Sequence, residues 1–320
     1  MTLRRWPAAL LFVAVAASAL PDARAQSLLE TLRARRAQTQ AANPDAEAAI
    51  PGLEDAETAG GKFALPTGAR AERDLAYGSE PAQRLDVYIP AGASRAPILV
   101  MVHGGGWILG DKGHSGVVAN KVKHWLPKGY IVVSANYRMR RPPNPLEQAE
   151  DAGRALAFVQ AQAASWGGDG SRVVLMGHSS GAHLVTLLTA VPGLVVRSGA
   201  KPWLGTVSLD SAALDVVELM TARHLRLHDR VFGAEPARWN EVSPLQQLSV
   251  RPVPLLLVCS SRRNDSCPAA SRFAAKASSL GGRATVLPID LNHGEINSEL
   301  GRSPGYTTSV DEFLHSLGLP

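Results

Sequence analysis

Aromatic residues make up only 5% of this 320-residue sequence, and there are just two cysteines, Cys259 and Cys267. So few sulfurs exclude a disulfide-dense scaffold and a thiolate metal centre. Neither sign of charge dominates: 33 Lys and Arg stand against 28 Asp and Glu, a formal net charge of +5. The basic clusters Arg33-Ala-Arg35-Arg36 and Arg138-Met-Arg140-Arg141 read as solvated faces or ion pairs, and no nucleic-acid-binding motif accompanies them, so no nucleic-acid partner is expected. No internal repeat or long low-complexity tract is present. The apolar stretch Trp6 to Leu20 contains Pro7 and falls short of the roughly 20 residues needed to span a bilayer.

That stretch has another reading. Arg4 and Arg5 precede it and Ala23-Arg24-Ala25 follows it, giving a basic region, an apolar region and a small-residue cleavage site. Residues 1–25 are therefore expected to be a signal peptide, and the protein to be exported to the periplasm or the exterior, with no stable membrane insertion after cleavage. Residues 26–64, rich in Ala, Gln and Glu, are expected to form a loosely ordered leader. Residues 65–320 then form the main domain, in which apolar strands alternate with amphipathic helices. Strands are expected at Gln83–Ile89, Pro97–Val102, Tyr130–Ala135, Arg172–Met176, Trp203–Leu209, Val253–Val258 and Arg283–Ile289. Helices are expected at Val117–Leu126, Leu146–Ala164, Ala182–Ala190, Ala269–Leu280 and Thr307–Leu317. This rhythm predicts an α/β fold with a mostly parallel sheet covered on both faces. It lapses over about 211–248, read as a small helical cap insertion with one helix near Leu214–Leu227.

In such sheets, ligands bind at the carboxyl ends of the strands. The sequence Met176-Gly177-His178-Ser179-Ser180-Gly181-Ala182-His183 places a serine between two glycines, after an apolar strand and before an apolar helix. This is the pattern of a nucleophile elbow, which lifts the Ser179 hydroxyl clear of the sheet. Val102-His103-Gly104-Gly105-Gly106-Trp107 follows another apolar strand, and its main-chain N–H groups, from Gly105 and Gly106, would stabilise an oxyanion together with that of Ser180.

Of nine histidines, His293 alone follows a late strand, where the chain order serine, acid, histidine places a general base. His178, His183 and His103 are expected to be scaffolding. Asp265, in the loop after the Val253–Val258 strand, is the expected acid, with Asp290 second and Asp210 and Asp215 as further candidates. Cys259 and Cys267 bracket this loop. In an exported protein they are expected to form a disulfide, which would restrain Asp265. His224-x-x-x-His228 lacks further recognisable metal ligands.

These motifs resemble the α/β-hydrolase superfamily, and within it the esterase/lipase branch of hormone-sensitive-lipase-like carboxylesterases and bacterial arylformamidases. The resemblance runs from about Arg84 to Leu317. It rests on His103 to Trp107 with Gly110-Asp111-Lys112, Asn136-Tyr137-Arg138, Glu150-Asp151, Gly167-Gly168-Asp169, Gly177 to His183 and the cap end Trp239 to Pro244. Ser180 stands where alanine is more usual, and the acid loop is longer than the common pattern. The resemblance implies Ser179, Asp265 and His293 as triad, Gly105, Gly106 and Ser180 as oxyanion donors, a small-molecule or acylated ester substrate and no cofactor. Amide or N-formyl hydrolysis and a non-catalytic binding role are the alternative expectations.

Overall fold

The computed structural model describes residues 63–320. The expected signal peptide, and all but the last two residues of the expected leader, lie outside the described residues. Eight strands form one sheet: β1 (Arg70–Ala76), β2 (Arg84–Ile89), β3 (Ala96–Val102), β4 (Ile131–Ala135), β5 (Gly168–His178), β6 (Gly205–Leu209), β7 (Leu255–Ser260) and β8 (Ala284–Ile289). Their spatial order is β1-β2-β4-β3-β5-β6-β7-β8. The first two strands run antiparallel to their neighbours, and every pairing from β4 to β8 is parallel.

The α-helices are α1 (Ser115–Trp125), α2 (Pro145–Gln162), α3 (Ser180–Ala190), α4 (Pro192–Ser198), α5 (Val216–Thr221), α6 (Arg226–Phe232), α7 (Pro236–Glu241), α8 (Pro244–Gln247), α9 (Ser266–Ser279), α10 (His293–Ser298) and α11 (Pro304–His315). The central strands are buried on both faces, as a parallel sheet with helices on each side requires. In β3, Ile98, Val100 and Val102 join a core with α2, α3 and the cap, whereas Leu99 and Met101 face Val118, Trp125 and Phe313 of α1 and α11. A third cluster packs Phe273 and Ala277 of α9 against Leu255 and Leu257 of β7.

The seven expected strands are all present. The unexpected one is β1, whose sequence Arg70-Ala-Glu-Arg-Asp-Leu-Ala76 is mostly polar; it is a sheet edge held by backbone pairing to β2. The single cap helix expected near Leu214–Leu227 is instead two short helices. Asp215 caps α5 by accepting from the N–H of Glu218, α5 ends where Ala222 turns extended, and α6 begins only at Arg226. The expected Cys259–Cys267 disulfide is formed.

Candidate active site

The nucleophile elbow is built by close packing. Ser179 sits between β5 and α3 at φ 54° and ψ −118°, a backbone conformation that costs of order 1–3 kcal/mol in a non-glycine residue and marks functional turns. Its N–H donates to the carbonyl of Leu209 at 2.9 Å. The flanking glycines are obligatory. A Cβ on Gly177 would lie 2.4 Å from the carbonyl oxygen of Gly181, and one on Gly181 would lie 2.3 Å from that of Val102.

His293 opens α10, four residues past the end of β8 at Ile289. Asn292 caps the helix by accepting from the N–H of Glu295 at 2.9 Å, while the Glu295 carboxylate accepts from the N–H of Asn292 at 2.8 Å. This reciprocal capping box fixes the first turn and with it the imidazole. Nε2 of His293 accepts from the Ser179 hydroxyl at 2.9 Å. On the other side of the ring, Nδ1 donates to Oδ2 of Asp210 at 2.5 Å.

The structure thus brings Ser179 and His293 together as expected, but the carboxylate on His293 is Asp210. Asp265 does not reach the imidazole. Its side chain is half exposed and accepts from Nη2 of Arg263 at 3.0 Å. Asp290 is exposed and pairs with Arg262 at 2.8 Å, and Asp215 caps α5. Asp210 follows β6 directly, and its own N–H donates to the carbonyl of Val258 at 2.8 Å. β6 lies beside β5, so a carboxylate at its end sits one strand from Ser179. Asp265 lies five positions beyond the end of β7, and the intervening loop turns Arg263 inward ahead of it. The sequence signal for Asp210 was its place directly after an apolar strand, the same place Ser179 holds after β5.

Asp210 is wholly buried, which by itself disfavours a charged carboxylate. Four donors outweigh that burial: His293, Arg263 at 2.7 Å, the N–H of Ser260 at 2.7 Å and the hydroxyl of Ser266 at 2.5 Å. They hold Asp210 far below the ordinary carboxylate range, and so ionised.

The other histidines near the elbow are scaffolding in their contacts. Nε2 of His178 donates to the carbonyl of His293 at 2.9 Å, and Nδ1 of His103 donates to that of Gly104 at 2.7 Å. His183 donates from Nε2 to the carbonyl of Val242 at 2.7 Å and accepts at Nδ1 from the Trp107 indole at 3.1 Å. Burial lowers the pKa of all three, that of His183 to about 4.

A cavity of about 380 Å³ opens over Ser179 and His293. Gly106, Trp107 and Ser180 form its wall beside Ser179, and Leu219, Leu225, Leu227 and His228 come from the cap. Gly105 closes the turn behind, its carbonyl accepting from the N–H of Leu109 at 3.0 Å. The Ser180 hydroxyl lies 3.3 Å from that of Tyr137, which gives this serine a buried partner. Among the residues that line the cavity the one tryptophan is Trp107. The Trp203 indole is buried on Thr206, and that of Trp239 bonds the carbonyl of Gly233 within the cap.

The sequence matches the BD-FAE family model over residues 85–194. It is 32% identical over 269 residues to a probable isoprenylcysteine alpha-carbonyl methylesterase of Arabidopsis thaliana, covering 77% of this chain and 54% of that protein. A rice protein with the same description is 36% identical over 113 residues, 35% of this chain and 26% of its own length. The chain therefore spans between about a quarter and about half of the length of these curated relatives. Among solved structures, esterase B from Lactobacillus rhamnosis superposes with a TM-score of 0.64 at 19% identity, covering 92% of this chain and 96% of that one. Esterase 2 of Thermogutta terrifontis superposes with a TM-score of 0.63 at 24% identity, covering 79% and 96%.

Proposed function

We propose that this chain, which has the α/β-hydrolase fold, is a serine hydrolase that cleaves carboxylic esters through an acyl-enzyme on Ser179. The single observation behind this reading is the continuous hydrogen-bond chain from the Ser179 hydroxyl through both nitrogens of His293 to the buried carboxylate of Asp210. The esterase names of its relatives and structural neighbours agree with it.

In this mechanism Ser179 Oγ attacks the ester carbonyl as its proton passes to Nε2 of His293. Asp210 keeps the other imidazole proton on Nδ1 and stabilises the imidazolium. The backbone N–H groups of Gly105, Gly106 and Ser180 take up the negative charge that develops on the carbonyl oxygen; loss of one such donor costs about 3–4 kcal/mol of barrier. The imidazolium then gives its proton to the leaving alkoxide. Water repeats the sequence on the acyl-enzyme, with His293 as base, and releases the acid and a free Ser179.

Export completes the proposal. The basic, apolar and small-residue pattern of residues 1–25 supports it, as does the Cys259–Cys267 disulfide, since such bonds persist in oxidising compartments. The test is acylation of the purified protein by a fluorophosphonate probe, read by intact mass, beside hydrolysis of short and long p-nitrophenyl esters. A single adduct on Ser179 with ester turnover is the expected result. Folded protein that gives neither overturns the reading.

A further inference from the structure

Ion pairing accounts for only part of the basic sequence Arg138-Met-Arg140-Arg141. Arg138 is held by Asp151 at 2.7 Å and by Glu147 at 3.6 Å, and Arg140 by Glu80 at 2.5 Å. Among the described residues, Arg141 has no ion-pair partner. It lines instead a second cavity of about 470 Å³, between the cap and the segment that leads into α2.

Two parts of the chain build this cavity. The segment ahead of α2 contributes Arg140, Arg141 and two prolines, and α6 and α7 contribute Arg230, Val231 and Arg238. Like Arg141, Arg230 and Arg238 form no ion pair among the described residues. Glu147 is the one carboxylate in the lining, and it is engaged with Arg138. Four guanidiniums thus gather around a hollow with one carboxylate, and a cleft lined by one sign of charge concentrates counter-ions. The planar fork of a guanidinium matches the oxygens of a carboxylate or a phosphate. Charge is not all that the hollow offers. Pro142, Pro143 and Val231 give it apolar surface, and its volume is that of a small-molecule site. Helix α6 divides it from the catalytic cavity: Leu227 and His228 line the one, Arg230 and Val231 the other.

We propose that this cavity is a second ligand site, separate from the one over Ser179, that takes an organic oxyanion: a small molecule bearing a carboxylate or a phosphate. The anion is held by Arg141, Arg230 and Arg238, and the organic part rests on Pro142, Pro143 and Val231. Such a ligand joins the cap to the segment ahead of α2. Because it binds the folded chain and not the unfolded one, it also raises the thermal midpoint.

The test is isothermal titration of the purified protein with succinate and, separately, with glycerol phosphate, at an ionic strength held constant with sodium chloride. Both probes are dianions in mildly alkaline buffer, so the tighter binder names the preferred oxyanion. Saturable binding of at least one is expected, weakened at least about tenfold when Arg141→Gln and Arg230→Gln are combined. Both side chains are exposed and form no ion pair, so this variant keeps the fold. Arg223→Gln combined with Arg226→Gln removes the same charge from residues that do not line this cavity, and should leave the affinity unchanged. Equal weakening in the two double variants, or weakening in the second alone, overturns the proposal, as does the absence of saturable binding by either probe. Affinity is read here without turnover. Protein that binds but neither labels with fluorophosphonate nor cleaves ester overturns the hydrolase reading alone, whereas active protein that binds neither probe overturns only this site.

Discussion

The imidazole of His183 donates to the carbonyl of Val242 at 2.7 Å, tying the helix that follows the nucleophile to the last turn of the cap. Its other nitrogen accepts from the Trp107 indole, so one neutral side chain joins the elbow helix, the glycine-rich loop and the cap. Burial lowers its pKa to about 4, and the ring keeps this donor-acceptor pattern at neutral pH.

His183→Leu should therefore strand the Trp107 N–H and the Val242 carbonyl in the core. Each buried group left unpaired costs about 1–3 kcal/mol. The expected outcome is a fall of several degrees in the thermal midpoint, together with a higher KM for ester because Trp107 and the cap both border the cavity. Thermal melts and steady-state kinetics on the same preparation check it. An unchanged KM would mean that the cap holds its place without this link.

Much of this site was legible in the sequence. The elbow, the glycine loop and His293 all follow strands of the parallel part of the sheet, and that placement alone locates Ser179, Gly106 and His293. The carboxylate that bonds His293 is Asp210 and not the expected Asp265, because chain order admits both equally and only strand adjacency separates them. That β6 sits beside β5 is a property of topology, not of local pattern. The edge strand β1 was missed for a similar reason: Arg70, Glu72 and Asp74 give it no apolar face, and its pairing to β2 is made by the backbone.

The two aspartates separate cleanly in kinetics. Asp210→Asn leaves the shape of the site intact but removes the charge that the proposed mechanism places against Nδ1 of His293. A loss of about 10⁴-fold in kcat is expected. Asp265→Asn should change the plateau kcat by less than about tenfold, because that carboxylate touches only Arg263. Equal losses from the two variants would contradict the geometry at Nδ1.

Stability should fall on mild acidification. His103, His178 and His183 all have folded-state pKa values depressed by burial, so the unfolded chain binds protons more readily than the folded one. Their contribution is complete above the ordinary histidine value of 6.5 and is lost as pH falls from there, for His183 through about 4. Asp210 has a depressed pKa too; its contribution is complete above the ordinary carboxylate value and is lost only below it, so it adds a second, more acidic decline. Urea midpoints measured at intervals from neutral pH downward should show the first decline in the wild type. In His183→Leu that decline should be shallower. A flat profile between pH 6.5 and about 4 would exclude the histidine linkage.

Reducing the Cys259–Cys267 bond should act on both stability and chemistry. The bond closes a short loop, and removing it costs about 2–3 kcal/mol through the entropy regained by the unfolded chain. The same loop carries Ser260, Arg263 and Ser266, three of the four donors to Asp210. Cys259 is fully buried at the end of β7, so replacing it would also disturb packing; Cys267→Ser, at the less buried partner, is the cleaner variant. Its expected signature is a lower urea midpoint together with a reduced kcat, since a looser loop holds Asp210 less firmly against His293. A midpoint that falls while kcat is unchanged would confine the disulfide to stability and show that Asp210 is held by its strand position alone.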